Sequence, residues 1–219
     1  MKNFRHSIVL NLIFISLLVL TSACVDENLE GECGEALSSS GYLLSKDCRV
    51  LSWNASSLPI TLTVETSVPS FVADAIYNAA RHWEIATGLH LFTITSANAT
   101  STMDVNYYTN IIGHRPPETW LQEPIKGAED EPAKTVYYYR DYLYNSNIFF
   151  LDDFIQGNHG EYDYFTIALH ELGHVLGLDH DDSESPEKSV MNRKIKSKEI
   201  RPLSGRDIMR VRSLYDPSS

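Results

Sequence analysis

Three histidines and a glutamate lie within eleven residues of this sequence, at the spacing that a metal site requires. His170 and His174 are four positions apart, so on an α-helix both imidazoles project from one face and can bind a single ion. Glu171 lies beside them, within reach of a water molecule on that ion. Gly177 permits a sharp exit from the helix, which would bring His180 to the same ion. Three neutral nitrogen ligands with an open fourth position are typical of catalytic zinc.

The complete pattern is much more specific than its first half. It has the form H-E-x-x-H-x-x-G-x-x-H, and histidine accounts for 8 of the 219 residues. A chance match in this composition is on the order of one in ten thousand or less. The alternative is a helix with two ordinary core histidines, but that interpretation leaves two adjacent ionisable residues unexplained. We therefore predict a metal site.

Hydrophobic periodicity predicts the elements that position this site. Alternating apolar and β-branched residues predict five strands, over 59–64, 89–95, 103–108, 135–139 and 148–151. Helical spacing predicts three helices, over about 67–87, 161–177 and 203–215. Gly88 is the expected end of the first helix and Ser204 the expected N-cap of the last. Four prolines predict a long loop over 109–134. Because strands precede the catalytic helix, we expect an α+β domain.

Length and charge limit the class of protein. A chain of 219 residues, 43% hydrophobic and 21% charged, fits one globular domain with short appendages, and its composition excludes collagen-like, coiled-coil and wholly disordered proteins. The formal net charge of −11 argues against a nucleic-acid binder and gives no attraction to anionic lipid. We expect a monomer.

The first 23 residues have the pattern of an export signal. Lys2 and Arg5 are followed by a nearly continuous apolar run over 8–20 and by the small residues Thr21-Ser22-Ala23. The apolar run is too short to span a bilayer comfortably. We predict a signal peptide over 1–23, an acidic tether or short pro-segment over 24–49, and a catalytic domain over 50–219.

The three cysteines suggest two different roles. Leu20 to Cys24 resembles a bacterial lipobox, which implies a lipid-anchored Cys24 at a membrane or cell surface. The alternative is ordinary cleavage, which leaves Cys24 a free thiol and the protein freely secreted. A lipidated Cys24 leaves Cys33 and Cys48, which could form a disulfide in an oxidising compartment.

The triple-histidine string resembles the signature of the metzincin metallopeptidases, in which a Met-turn follows it. Ser189-Val190-Met191 matches that turn, eleven residues beyond His180. In the family this methionine forms a hydrophobic floor below the metal without binding it. Met191 alone would more often be core filler.

Within that clan the chain is most similar to the matrixins. The resemblance covers about residues 50–216. The matching features are Trp53, the helix pattern over 72–89, the strand that ends in Asp152-Asp153 and the segment Pro202–Tyr215. It implies a twisted, mostly parallel sheet of about five strands with an antiparallel edge strand. Three helices complete that fold, and the active-site helix is followed by the Met-turn.

Site and resemblance together predict a zinc-dependent endopeptidase that acts on proteins or peptides. One zinc ion would activate water and polarise the scissile carbonyl, and Glu171 would take the water's proton as general base. The alternative function is a catalytically inactive, zinc-bearing surface binding protein. An intact Glu171 argues against that alternative, since binding alone does not need a general base.

Several features depart from the matrixin pattern. The cysteine-switch sequence is missing. Among the histidines of a structural zinc site only His114 and His159 remain in the relevant stretch, so we expect that site to be absent or remodelled. Asp181 follows the third histidine, and no proline closely follows Met191. His82 and His90 are expected to be surface or packing residues. A calcium ion could bind four acidic residues, although a solvated acidic loop is the simpler interpretation: Asp152, Asp153, Glu161 and Asp163.

Overall fold

The structure is a computed structural model, and it describes residues 33–34, 40–97, 111–115, 131–157, 161–183 and 189–216. The predicted signal peptide, Cys24 and the predicted strand over 103–108 lie outside the described residues.

Five strands among the described residues form one sheet in the order β2-β1-β3-β5-β4. Their bounds are β1 Ile60–Glu65, β2 Phe92–Ala97, β3 Ile111–Arg115, β4 Ala133–Tyr139 and β5 Leu143–Leu151. Neighbouring strands run parallel except for β4, which pairs antiparallel with β5 at the edge. The sheet therefore confirms the predicted fold, including the antiparallel edge strand.

Strand β3 corrects the sequence prediction, which placed its residues in a long loop. The segment is short and precedes Pro116-Pro117, so its local pattern is weak. Its Ile112 is fully buried and pairs with Val64 of β1 on one side and Ile148 of β5 on the other. Pairing with two strands distant in sequence stabilises this strand, and a local pattern cannot reveal such pairing.

In the described part of the chain, three long helices, one short helix and a 3₁₀ turn over Ala55–Ser57 accompany the sheet. The helices are α1 Ser70–Thr87, α2 Asp152–Ile155, α3 Tyr164–Val175 and α4 Gly205–Tyr215, of which α2 has four residues. Helix α1 ends at Gly88, whose φ of 75° is left-handed. A capping box between Ser204 and Asp207 begins α4, as predicted for its N-cap. No helix among the described residues is long and apolar enough to cross a membrane.

Helix α3 is shorter than the predicted 161–177 segment because its N-cap is Asp163. The Asp163 side chain accepts a hydrogen bond from the Thr166 N–H at 2.7 Å, which fixes the helix start at Tyr164. Two indole N–H groups then connect α3 to its neighbours. Trp83 of α1 donates to the Leu169 carbonyl at 3.0 Å, and Trp53 donates to the Val175 carbonyl at 2.7 Å. Both indoles are buried in the core.

Part of the predicted tether packs against the domain. Leu43 is buried and donates its N–H to the Gly177 carbonyl at 2.9 Å, while the Asp179 N–H donates to the Gly41 carbonyl at 3.0 Å. A disulfide joins Cys33 to Cys48, with their Cα atoms 5.2 Å apart. The boundary predicted at residue 50 therefore falls inside a packed segment, because Leu43 and Leu44 supply apolar side chains to the core.

Candidate metal centre

Three imidazoles converge beside α3, two from the helix itself and one from the chain that follows it. One ligand nitrogen from each of His170, His174 and His180 lies within 4.8 Å of the other two. The ring centroids are 4.6 to 5.2 Å apart. His170 and His174 project from one helix face, as their spacing predicts.

The turn at Gly177 carries the third histidine to this cluster. Gly177 has a φ of 90°, and a Cβ at this position would lie 2.6 Å from the Leu51 carbonyl oxygen. Its N–H donates to the His174 carbonyl at 2.9 Å, and the Leu178 N–H donates to the Gly173 carbonyl at 3.0 Å. Backbone conformation and close packing thus both require glycine here.

Backbone carbonyls fix the proton positions on two of the rings. Nδ1 of His170 lies 2.8 Å from the Val190 carbonyl oxygen, and Nδ1 of His174 lies 2.8 Å from that of Leu178. A carbonyl can only accept, so each Nδ1 carries the hydrogen and each Nε2 of a neutral ring carries a lone pair. This is the usual way in which a protein orients a metal-binding histidine.

The spacing and chemistry of these atoms fit zinc. The Nε2 atoms of His170 and His174 are 3.1 Å apart. Two Zn–N bonds of about 2.0–2.1 Å at a tetrahedral angle would place them about 3.3 Å apart. Burial lowers the pKa of His170 to about 3 and the pKa of His180 well below its ordinary value. Both rings are therefore neutral, which is the form that binds a metal.

Glu171 is buried beside the histidines, with 5% of its surface exposed. Burial raises its pKa to about 8, against the opposing effect of a hydrogen bond from Thr135. The Thr135 hydroxyl lies 2.5 Å from Glu171 Oε2 and 3.2 Å from the Glu171 carbonyl oxygen. Thr135 belongs to β4, so the edge strand contacts the residue predicted as general base. The sequence predicts Thr135 in a strand but indicates no role for its side chain.

The predicted Met-turn lies against α3. Met191 is fully buried, and its sulfur and methyl group occupy the space that a Cβ on Gly173 would need. The residues around it are tied to the metal cluster by backbone contacts: the Val190 carbonyl orients His170, and the Asp181 N–H donates to the Met191 carbonyl at 2.9 Å. The turn therefore packs against α3 at Gly173 and also orients one of the histidines.

A buried charge network anchors the chain after His180 to α4. Asp181 accepts a hydrogen bond from Arg206 and lies 3.6 Å from Arg210. Arg210 also donates to Asp207 at 2.7 Å, and the Ser189 hydroxyl lies 3.2 Å from the same carboxylate. Burial acts to raise the pKa of Asp181, but hydrogen bonds from Ser183 and Arg206 hold it below its ordinary value. The network connects α4, the Met-turn and the third histidine.

The other candidate ligands whose side chains the structure describes do not join the cluster; His159 lies outside the described residues. His82 and His90 are exposed: His82 packs edge-on against Phe165, and His90 Nδ1 lies 3.0 Å from Glu84. Asp163 is a helix cap, and Glu161 pairs with Lys198 at 3.1 Å. Among the described residues, the three histidines are the one group of three or more potential ligands close enough to share a metal ion.

The fold and the histidine cluster together fit a metallopeptidase of the metzincin type. The chain belongs to the matrixin family, whose family model matches residues 52–216. Among solved structures, the chain is similar to high choriolytic enzyme 1, a hatching-enzyme zinc protease from the medaka fish Oryzias latipes. That similarity has 15% identity and a TM-score of 0.34, and it covers 82% of this chain and 96% of the other. No curated protein matches the sequence.

Proposed function

We propose that the protein is a zinc-dependent endopeptidase that hydrolyses peptide bonds in proteins, with Glu171 as its general base. One observation carries the proposal most directly: the ligand nitrogens of three histidines, one buried and two half-buried, converge beside a buried carboxylate. Membership of the matrixin family supports peptide bonds as the target.

Each side chain of the site has a defined part in this reaction. His170, His174 and His180 would hold one zinc ion, which supplies Lewis acidity by acidifying bound water and polarising the scissile carbonyl. Glu171 accepts the proton of the attacking water and delivers it to the leaving nitrogen. The carboxylate returns to its starting state when the amine product leaves.

Substrate would bind as an extended peptide along β4. Among the described strands, β4 pairs with β5 alone and is therefore an edge strand of the sheet. Edge strands are where an extended peptide can add through backbone hydrogen bonds. A hydrogen bond joins Thr135 of this strand to Glu171, which supports a substrate strand beside the proposed general base. The segment over 135–139 is therefore the proposed substrate-binding strand.

Casein cleavage separates an active peptidase from a zinc-bearing binding protein. The purified protein should cleave casein, lose this activity in a chelator and regain it when zinc is restored. A zinc-loaded, folded protein without cleavage of casein, gelatin or a peptide library would favour the binding protein instead.

We also propose that the chain is exported and anchored through a lipid on Cys24. The supporting features are the signal pattern over 1–23 and the lipobox-like residues before Cys24. The disulfide between Cys33 and Cys48 supports export, because disulfides persist in oxidising compartments. Fractionation of cells that express the parent or Cys24→Ala tests the anchor. The parent should be found with membranes and the variant in the soluble fraction; soluble parent protein would overturn the anchor.

A further inference from the structure

We propose that Thr135 is a positioning residue whose hydroxyl holds the Glu171 carboxylate in the orientation needed for proton transfer. This inference rests on the proposed function, because it gives Thr135 a role that acts through the general base.

The hydrogen-bond geometry identifies the carboxylate as the acceptor. A threonine hydroxyl has one proton to donate, and two oxygens of Glu171 lie near it. Oε2 is 2.5 Å away and the backbone carbonyl oxygen is 3.2 Å away. The shorter distance makes Oε2 the main partner of the hydroxyl and the carbonyl oxygen the weaker one.

The donor is rigid, whereas the acceptor is not. Thr135 lies in the middle of the β4–β5 ladder opposite Ile148, and 4% of its surface is exposed. Its β-branched side chain has restricted χ1 freedom. Glu171 has three rotatable side-chain bonds, so a fixed donor at its end removes much of that freedom. Because the bond uses Oε2, the other carboxylate oxygen, Oε1, can face the attacking water.

Loss of this bond should affect turnover more than substrate binding. General-base catalysis depends on the position of the accepting oxygen, and a displacement of about 1 Å can cost about 100-fold in rate. If the hydroxyl bonded only the Glu171 backbone carbonyl, it would hold β4 against α3. Its loss would then lower stability without a selective loss of turnover. The two roles therefore differ in measurable ways.

Two substitutions at Thr135 and one matched control test the inference. Thr135→Val removes the hydroxyl and keeps the shape, whereas Thr135→Ser keeps the hydroxyl. Thr87→Val is the control, because Thr87 is also buried and its hydroxyl donates to the Trp83 carbonyl at 2.8 Å, in α1. For the zinc-loaded proteins we expect a kcat about 10- to 100-fold lower in Thr135→Val, with KM within about twofold of the parent. Thr135→Ser should stay within about threefold, and Thr87→Val should keep the parent kcat.

Thermal unfolding of the zinc-free proteins gives a readout that is independent of activity. Thr135→Val should lower the unfolding midpoint more in the parent background than in the Glu171→Ala background. The Glu171→Ala protein has already lost the carboxyl group that the Thr135 hydroxyl bonds. Equal shifts in both backgrounds would overturn the inference. If Thr135→Val does not fold, Thr135→Ala replaces it in both measurements.

The kinetic outcomes separate this inference from the proposed function. An inactive Glu171→Ala together with a fully active Thr135→Val would overturn the role of Thr135 and leave the general base in place. An active, zinc-loaded Glu171→Ala would overturn the general base and the inference with it.

Discussion

The Nε2 atoms of His170 and His174 lie 3.1 Å apart, although neither neutral ring can donate a proton to the other there. Each ring uses its Nδ1 hydrogen on a backbone carbonyl. Two lone pairs at this distance repel each other unless a cation lies between them. The backbone therefore holds the rings in an arrangement that metal binding would stabilise.

Replacement of Glu171 by alanine should separate metal binding from chemistry. The carboxylate is not needed to hold the ion, so the variant should bind one zinc per chain as the parent does. Casein turnover should fall by a factor of at least about 100, since general-base catalysis contributes roughly 100- to 10,000-fold. Elemental analysis and a cleavage assay on the same sample check both parts. Turnover near the parent level would show that another group accepts the proton.

Gly173→Ala should destabilise the domain, because the new methyl group would collide with the side chain of Met191. Overpacking of a close-packed core costs about 1–3 kcal/mol. Gly205→Ala is the matched control, since no atom lies within 4 Å of its Cβ position and its φ is not positive. Urea unfolding measures the free energy of unfolding of both variants. The measurement uses the Glu171→Ala background, because that substitution prevents self-digestion. Similar free energies of unfolding for the two variants would argue against close packing of Met191 on α3.

Replacement by methionine should lower the free energy of unfolding by very different amounts at two arginines of α4. Arg210 is buried and pairs with the buried Asp207, so Arg210→Met leaves an unpaired charge and should cost about 3–5 kcal/mol. Arg212 pairs with Asp216 at 3.2 Å, but its side chain is 53% exposed, so its replacement should cost less than about 1 kcal/mol. Denaturant unfolding compares the two. A small loss for Arg210→Met would mean that the network does not anchor the chain after His180.

Local sequence patterns predicted the elements whose ends are determined by residues close by in the sequence. Helix α1 ends at Gly88 and α4 begins at Ser204, because a glycine and a capping serine act through neighbouring backbone groups. The three histidines were also predictable, since helical spacing and one flexible glycine determine where their side chains point.

Features that depend on distant residues were not predictable in this way. Strand β3 exists through pairing with β1 and β5, and its own five residues carry a weak pattern. Leu43 packs against the core from within a segment whose composition suggested a tether. Thr135 meets Glu171 across 36 positions of sequence, and only the fold brings them together.

X-ray absorption at the zinc edge tests the central claim most directly, with the zinc-loaded parent compared with His180→Ala. Three histidine nitrogens at about 2.0–2.1 Å and one oxygen ligand are expected for the parent. The variant should have one nitrogen fewer and a weaker affinity for zinc. The account would be contradicted by a parent that takes up no zinc, or by identical ligand sets in the two proteins.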